Sequence, residues 1–123
     1  MKRSINILLV EDDPSLGAAT MELLVTHGHA ATLATSFDEA FEILRAQNRI
    51  QVIVLDLQLG ASRGETLINS LRSAGVAVPP VVVLSAKPLP DVVSAAKDTQ
   101  AEVFLQKPCS VARLIEAITL AVA

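Results

Sequence analysis

Ile5-Asn-Ile-Leu-Leu-Val-Glu-Asp-Asp-Pro14 is the stretch that decides the fold. Ile5 to Val10 is a near-continuous apolar run with β-branched residues. That pattern suits a strand buried on both faces, as in a parallel sheet. The run stops at three acids, Glu11, Asp12 and Asp13, and a proline follows. Asp13-Pro14 reads as a helix N-cap and the first helical position. A buried strand, an acidic loop and a helix start therefore follow one another directly.

The same alternation continues outward along the chain. Leu16, Ala19, Leu23 and Leu24 are expected to form the apolar face of the first helix, with Gly28 as its stop. Ala30 to Ala34 is a weak strand, and Ser36 with Glu39 forms a capping-box pattern. Phe37, Ala40, Phe41 and Leu44 continue at helical spacing. Gln51 to Leu55 and Val81 to Leu84 are strong strands, and Leu67, Ile68 and Leu71 mark the helix between them, ended near Gly75. Pro88 and Pro90 punctuate the next loop. A short helix is expected over 91–99, then a strand over 103–105. A final helix carries Val111, Leu114, Ile115 and Ile118. Strict alternation predicts an α/β fold, a parallel five-stranded sheet with helices on both faces. The weak second strand belongs at an edge.

The chain has 123 residues, which predicts one domain over 1–123, since domains most often run to about 100–150 residues. Hydrophobic residues make up 51% and charged residues 19%, which excludes intrinsic disorder. No apolar run approaches the ~18–20 residues of a membrane span, so no membrane insertion is expected. The 10 basic and 13 acidic residues are interspersed, and the only aromatics are three Phe. That argues against direct nucleic-acid binding, which wants a basic face and often stacking rings. A single cysteine, Cys109, allows no internal disulfide and fits a reducing, cytoplasmic setting.

Parallel α/β sheets place their sites beyond the carboxyl ends of the strands, where the strand order switches. After strand one come Glu11, Asp12 and Asp13; after strand three, Asp56; after strand four, Ser85; after strand five, Lys107. If strands one and three are neighbours, Glu11, Asp12 and Asp56 converge. Clustered carboxylates repel unless a cation neutralises them, and oxygen-only ligands favour a hard ion such as Mg²⁺. Lys107 and the Ser85 hydroxyl are partners for a phosphoryl group, and a carboxylate can itself be the nucleophile that accepts one. Asp13 reads as a helix cap rather than a ligand. His27 and His29, which flank Gly28, read as surface residues, and Cys109 as a small packed residue.

These residues in this order resemble the response-regulator receiver domains of two-component signalling, of the chemotaxis-regulator type. The segments that carry the resemblance are Ile7-Leu-Leu-Val-Glu-Asp-Asp-Pro14, Val54-Leu-Asp-Leu-Gln-Leu-Gly60 with Gly64, Val83-Leu-Ser-Ala86 and Phe104-Leu-Gln-Lys-Pro108. The resemblance implies a flavodoxin-like (βα)5 sheet with strand order 2-1-3-4-5. It implies that Asp56 is the phosphoacceptor and that Glu11, Asp12, Asp56 and the backbone carbonyl of Gln58 hold Mg²⁺. Ser85 matches the switch hydroxyl, Lys107 the phosphate-binding lysine and Phe104 the aromatic switch residue, whose alternative reading is plain core packing. Ala86 matches the small residue that leaves room for the phosphoryl group. Lys107-Pro108 matches a peptide bond that is usually cis.

The chain departs from the pattern at Gly60, Gln100 and Cys109, and by Pro88 and Pro90 in the loop before the fourth helix. The implied donor is a histidine kinase or histidine phosphotransfer protein. The implied output is a protein partner on the surface of the fourth helix, fifth strand and final helix, and a homodimer is compatible with it. The chain then catalyses only its own phosphorylation and dephosphorylation. It acts as a stand-alone regulator or as the receiver part of a larger regulator or hybrid kinase.

Two other classes compete. A phosphatase resembling the haloacid-dehalogenase class also uses an aspartyl nucleophile, Mg²⁺ and a lysine, but its nucleophile follows strand one in an Asp-x-Asp-x-Thr pattern. Glu11-Asp-Asp-Pro14 has no such threonine. A nucleotide or flavin module wants a Gly-rich loop after strand one, and none is present.

Overall fold

The computed structural model describes residues 4–46, 49–57, 64–85 and 101–123. The elements run β1 (Asn6–Val10), α1 (Pro14–Thr26), β2 (Ala30–Ala34), α2 (Phe37–Ala46), β3 (Val52–Leu57), α3 (Gly64–Ser73), β4 (Val81–Ser85), β5 (Val103–Gln106) and a last helix, α4 (Val111–Val122). The helix expected over 91–99 lies outside the described residues, as do Gln58, Gly60, Ala86, Pro88, Pro90 and Gln100.

The five strands pair in parallel in the order β2-β1-β3-β4-β5. Strand residues alternate between two cores because successive side chains leave opposite faces of a sheet. Leu8, Val10, Ile53, Leu55, Val81 and Val83 pack with Ala40 and Leu44 of α2 and Leu67, Ile68 and Leu71 of α3. Ile7, Leu9, Val52, Val54 and Val82 pack on the other face with Leu24 of α1 and Leu114, Ala117 and Ile118 of α4. Both faces being covered is why β1, β3 and β4 read as unbroken apolar runs. The weak strand β2 is an edge, as its composition predicts.

Local signals hold in detail. Asp13 caps α1, accepting from the N–H groups of Ser15 at 3.0 Å and Leu16 at 3.1 Å, with Pro14 opening the helix. Gly28 has φ of +91° and stops α1 where an L side chain is disfavoured. Ser36 Oγ accepts from the Glu39 N–H at 3.1 Å, while Glu39 Oε1 reaches back to the Thr35 N–H at 3.0 Å. The Lys107-Pro108 bond is cis.

Two expectations need correction. The buried residues of α1 are Gly17 and Leu24, whereas Leu16, Ala19 and Leu23 are exposed. The helix lies so close to β2 that a Cβ on Gly17 would stand 2.6 Å from Leu33 Cδ1, so Gly17 and Leu24 face the sheet while Leu16 and Leu23 do not. His29 is buried rather than on the surface, and its Nδ1 accepts from the Ile5 N–H at 3.2 Å, tying the start of β1 to the turn before β2. His27 is exposed as expected, with Nδ1 2.8 Å from the Leu23 carbonyl oxygen.

Candidate functional site

Register assembles the site. Val10 of β1 stands opposite Leu55 of β3, so one residue further on Glu11 and Asp56 are neighbours. Leu57 stands opposite Ser85, and Ser85 opposite Gln106, which brings Lys107 in next. The Lys107 N–H donates to the Ser85 carbonyl at 2.7 Å and fixes where its side chain starts. Lys107 Nζ then donates to Asp56 Oδ2 at 2.6 Å and lies 4.0 Å from Glu11 Oε2. The Glu11 and Asp56 side chains are 1% and 5% exposed, so this ammonium neutralises charge in a largely dry place. Ser85 is also buried.

Glu11 is the strained member. Its Oε1 accepts from the Asp13 N–H at 3.0 Å, but its buried Oε2 has no hydrogen-bond partner among the described residues. Burial pushes the Glu11 carboxyl above the usual range, and its hydrogen-bonding contact with Asp56 pushes the same way. Two ionised carboxylates cannot donate to each other, so that contact becomes a hydrogen bond only when they share a proton. Asp12 is exposed, and its contact with Glu11 raises its carboxyl as well.

Among the described residues no three His, Cys, Asp or Glu side chains already form a ligand cluster. What fits a hard cation is the chemistry present: a buried oxygen lacking a donor, with carboxylates of Asp12 and Asp56 in contact with the same side chain. A cation there would give Oε2 its partner and relieve the repulsion. Asp13 stays apart as a cap, and Cys109 is half-buried and free. Phe104 is 40% exposed, so packing in the core is not its role.

Sequence reasoning missed a cleft beside this site. Leu16, Thr20 and Leu23 of α1 face Val111 and Leu114 of α4, with Asp56, Lys107 and Cys109 among the other lining residues. The available signal was that α1 is apolar all round, with Glu22 its one charged residue.

The family model for the response regulator receiver domain matches residues 7–119. The chain belongs to that family. This receiver is 31% identical over 121 residues to the transcriptional regulatory protein RprY of Bacteroides fragilis, covering 96% of the chain and 50% of that protein. It is 27% identical to the sensory/regulatory protein RpfC of Xanthomonas campestris over 94% of the chain and 16% of that protein. It thus spans half or less of these relatives. Among solved structures, a response regulator receiver protein from Burkholderia phymatum superposes with a TM-score of 0.75 at 32% identity, covering 98% of each chain. A receiver domain protein from Clostridium thermocellum gives a TM-score of 0.81 at 23% identity over 96% of this chain and 94% of that one, a likeness of fold. The receiver is a signalling module of two-component systems, and its sheet has the flavodoxin-like order expected of it. Among the described residues no helix is long and apolar enough to cross a membrane.

Proposed function

We propose that this receiver accepts a phosphoryl group on Asp56 from a histidine kinase or histidine phosphotransfer protein, with Mg²⁺ as cofactor. The observation that carries the reading is the Lys107–Asp56 ion pair beside the orphaned oxygen of Glu11, at the ends of the neighbouring strands β1 and β3, whose following helices α1 and α3 pack on opposite faces of the sheet. A bound Mg²⁺ supplies positive charge that offsets the developing charge on the phosphoryl oxygens. Glu11, Asp12 and Asp56 are the side chains that would hold it, with the Gln58 backbone carbonyl as the further ligand the family pattern implies.

An Asp56 carboxylate oxygen forms the new bond to phosphorus as the bond from phosphorus to the donor's histidine nitrogen breaks, that nitrogen leaving with the electron pair, and Lys107 then pairs with a phosphoryl oxygen in place of the bare carboxylate. The buried Ser85 hydroxyl donates to another. Drawing Ser85 inward frees space towards which exposed Phe104 turns. That changes the surface of the helix expected over 91–99, β5 and α4, where an output protein docks and where a homodimer would form. The chain catalyses no reaction but its own phosphorylation and dephosphorylation, and it works in the cytoplasm. Its span relative to RprY and RpfC favours a second form of the same reading, a receiver that operates as part of a larger regulator or hybrid kinase.

Phosphate release during incubation with acetyl phosphate and Mg²⁺ tests this. The receiver loads one acid-labile group and releases phosphate slowly. Steady, rapid turnover with no loaded species would instead identify a haloacid-dehalogenase-like phosphatase.

A further inference from the structure

Strand β2 closes one edge of the sheet and, among the described residues, pairs with β1 alone. Its inward bonds are fixed. The Ala30 N–H donates to the Ile5 carbonyl at 3.0 Å, and the Ala34 carbonyl accepts from the Glu11 N–H at 2.9 Å. Backbone groups of successive strand residues point to alternate sides, so Ala30, Thr32 and Ala34 bond towards β1 while Ala31 and Leu33 aim theirs out past the edge. Open edges are normally guarded by charge, proline or a bulge. Ala30-Ala-Thr-Leu-Ala34 has neither charge nor proline, and its register with β1 runs without a break.

Helix α1 extends the same edge. Gly17 and Leu24 face the sheet, and Leu16 and Leu23 line the cleft towards α4. With about 3.6 residues per turn, the side of α1 opposite that cleft carries Pro14, Ala18, Met21 and Val25. Because α4 packs over β3, β4 and β5, the side of α1 away from it points out beyond β2. Ala18 is exposed there, Met21 is half-buried and Val25 is 53% exposed.

We propose that β2 pairs antiparallel with β2 of a second copy of this chain, about a two-fold axis at Thr32, joining the two sheets into one. Reversed against itself about Thr32, the strand sets Ala31 opposite Leu33 of the second copy. Both residues aim their bonding groups outward, so each such pair exchanges N–H···O=C bonds. Thr32 meets Thr32, a favourable cross-strand pair. Helix α1 touches both β1 and β2, so the two copies of α1 come side by side at packing distance, about 8–10 Å. Gly17 stands level with Leu33, which sets Ala18 of one helix against Met21 of the other, and Pro14 against Val25. The ends match in charge. The turn with exposed His27 in one copy meets the first turn of α2, with Asp38 and Glu39, in the other, a charge pair when His27 is protonated. The contact is isologous, lies at the edge opposite β5, and does not depend on Asp56 being the acceptor.

Sedimentation equilibrium of the full chain without phosphodonor, from micromolar to millimolar concentration, is expected to show a monomer–dimer equilibrium. Thr32→Lys puts two ammonium groups opposite each other, and Val25→Glu buries a carboxylate against the second α1. Each is expected to raise the dissociation constant at least about ten-fold. Val25 is exposed, so its variant keeps the core. Leu120→Gln, at an exposed position on α4, leaves the equilibrium unchanged. Mild oxidation in a Cys109→Ser background reads the register. Thr32→Cys cross-links, because the two copies of residue 32 are directly opposite, whereas Ala30→Cys does not, its two copies lying about 13 Å apart along the strands. A wild type that stays monomeric throughout, a dimer that persists unchanged in both Thr32→Lys and Val25→Glu, or equal cross-linking at residues 30 and 32 overturns the inference. A dimer lost only in Leu120→Gln also overturns it and places the contact on α4.

Discussion

Asp12 and Asp13 are adjacent acids with opposite assignments, and replacing each by alanine separates a metal ligand from a helix cap. Asp13 makes two hydrogen bonds to the first turn of α1, at 3.0 and 3.1 Å. Losing an N-cap costs typically about 1 kcal/mol. For a domain of this size that lowers Tm by roughly 3–6 °C. The Asp13 N–H that Glu11 uses belongs to the backbone and survives the substitution. Asp12 is exposed and makes no cap, and removing it takes a negative charge away from Glu11. Asp12→Ala therefore stays within about 0.5 kcal/mol of wild type without metal. Adding Mg²⁺ at ten times its Kd stabilises the wild type by about 1.4 kcal/mol. Asp13→Ala keeps that increment on a lowered baseline, whereas Asp12→Ala loses most of it. Thermal unfolding with and without Mg²⁺ reads both effects. The reverse pattern, with the increment lost in Asp13→Ala and kept in Asp12→Ala, would refute the register of the acidic loop.

Glu11→Gln is expected to stabilise the metal-free protein at neutral pH by about 1–3 kcal/mol, the usual cost of a buried unsatisfied polar group. The folded-state carboxyl is raised, so the wild type binds its proton more tightly when folded and loses stability as pH rises from the ordinary carboxylate range through the raised value. The advantage of Glu11→Gln in urea unfolding therefore grows across that window, and a difference that is flat with pH would contradict the assignment. Gly17→Val places methyl groups where even a Cβ meets Leu33 Cδ1 at 2.6 Å, and overpacking of this kind costs about 1–3 kcal/mol in urea unfolding; an unchanged midpoint would show that α1 sits further from β2. Ser85→Ala accepts phosphate at Asp56 but switches poorly. Beryllofluoride with Mg²⁺ is expected to shift wild-type NMR signals from Asp56 through Phe104 to Val111–Ile115, with the spread beyond Asp56 lost in the mutant. Wild-type changes confined to the loops at Asp12 and Asp56 would contradict the switch.

Much of this was legible before the structure. Runs such as Ile5–Val10 and Val81–Leu84 specify strands covered on both faces, and Asp13-Pro14 specifies the turn into a helix. Polar residues directly after each strand then locate the site, because a parallel sheet puts all those ends on one rim. The buried face of α1 was not legible. With Leu16, Ala18, Ala19, Leu23, Leu24 and Val25 distributed around it, hydrophobic periodicity selects no side, and the close approach to Leu33 decides the matter. His29 gave no local sign of burial, since its partner Ile5 is 24 residues away. The strain on Glu11 was foreshadowed by the triple-acid pattern, but which oxygen goes unpaired depends on the Asp13 N–H taking the other.

Intact-mass spectrometry of wild type and Asp56→Asn after treatment with acetyl phosphate and Mg²⁺ tests the central claim most directly. The wild type should gain one phosphoryl group. Asp56→Asn should gain none while remaining folded, because the amide is a poor nucleophile and its neutrality relieves the repulsion with Glu11. A mass gain in Asp56→Asn equal to that of wild type would contradict Asp56 as the acceptor.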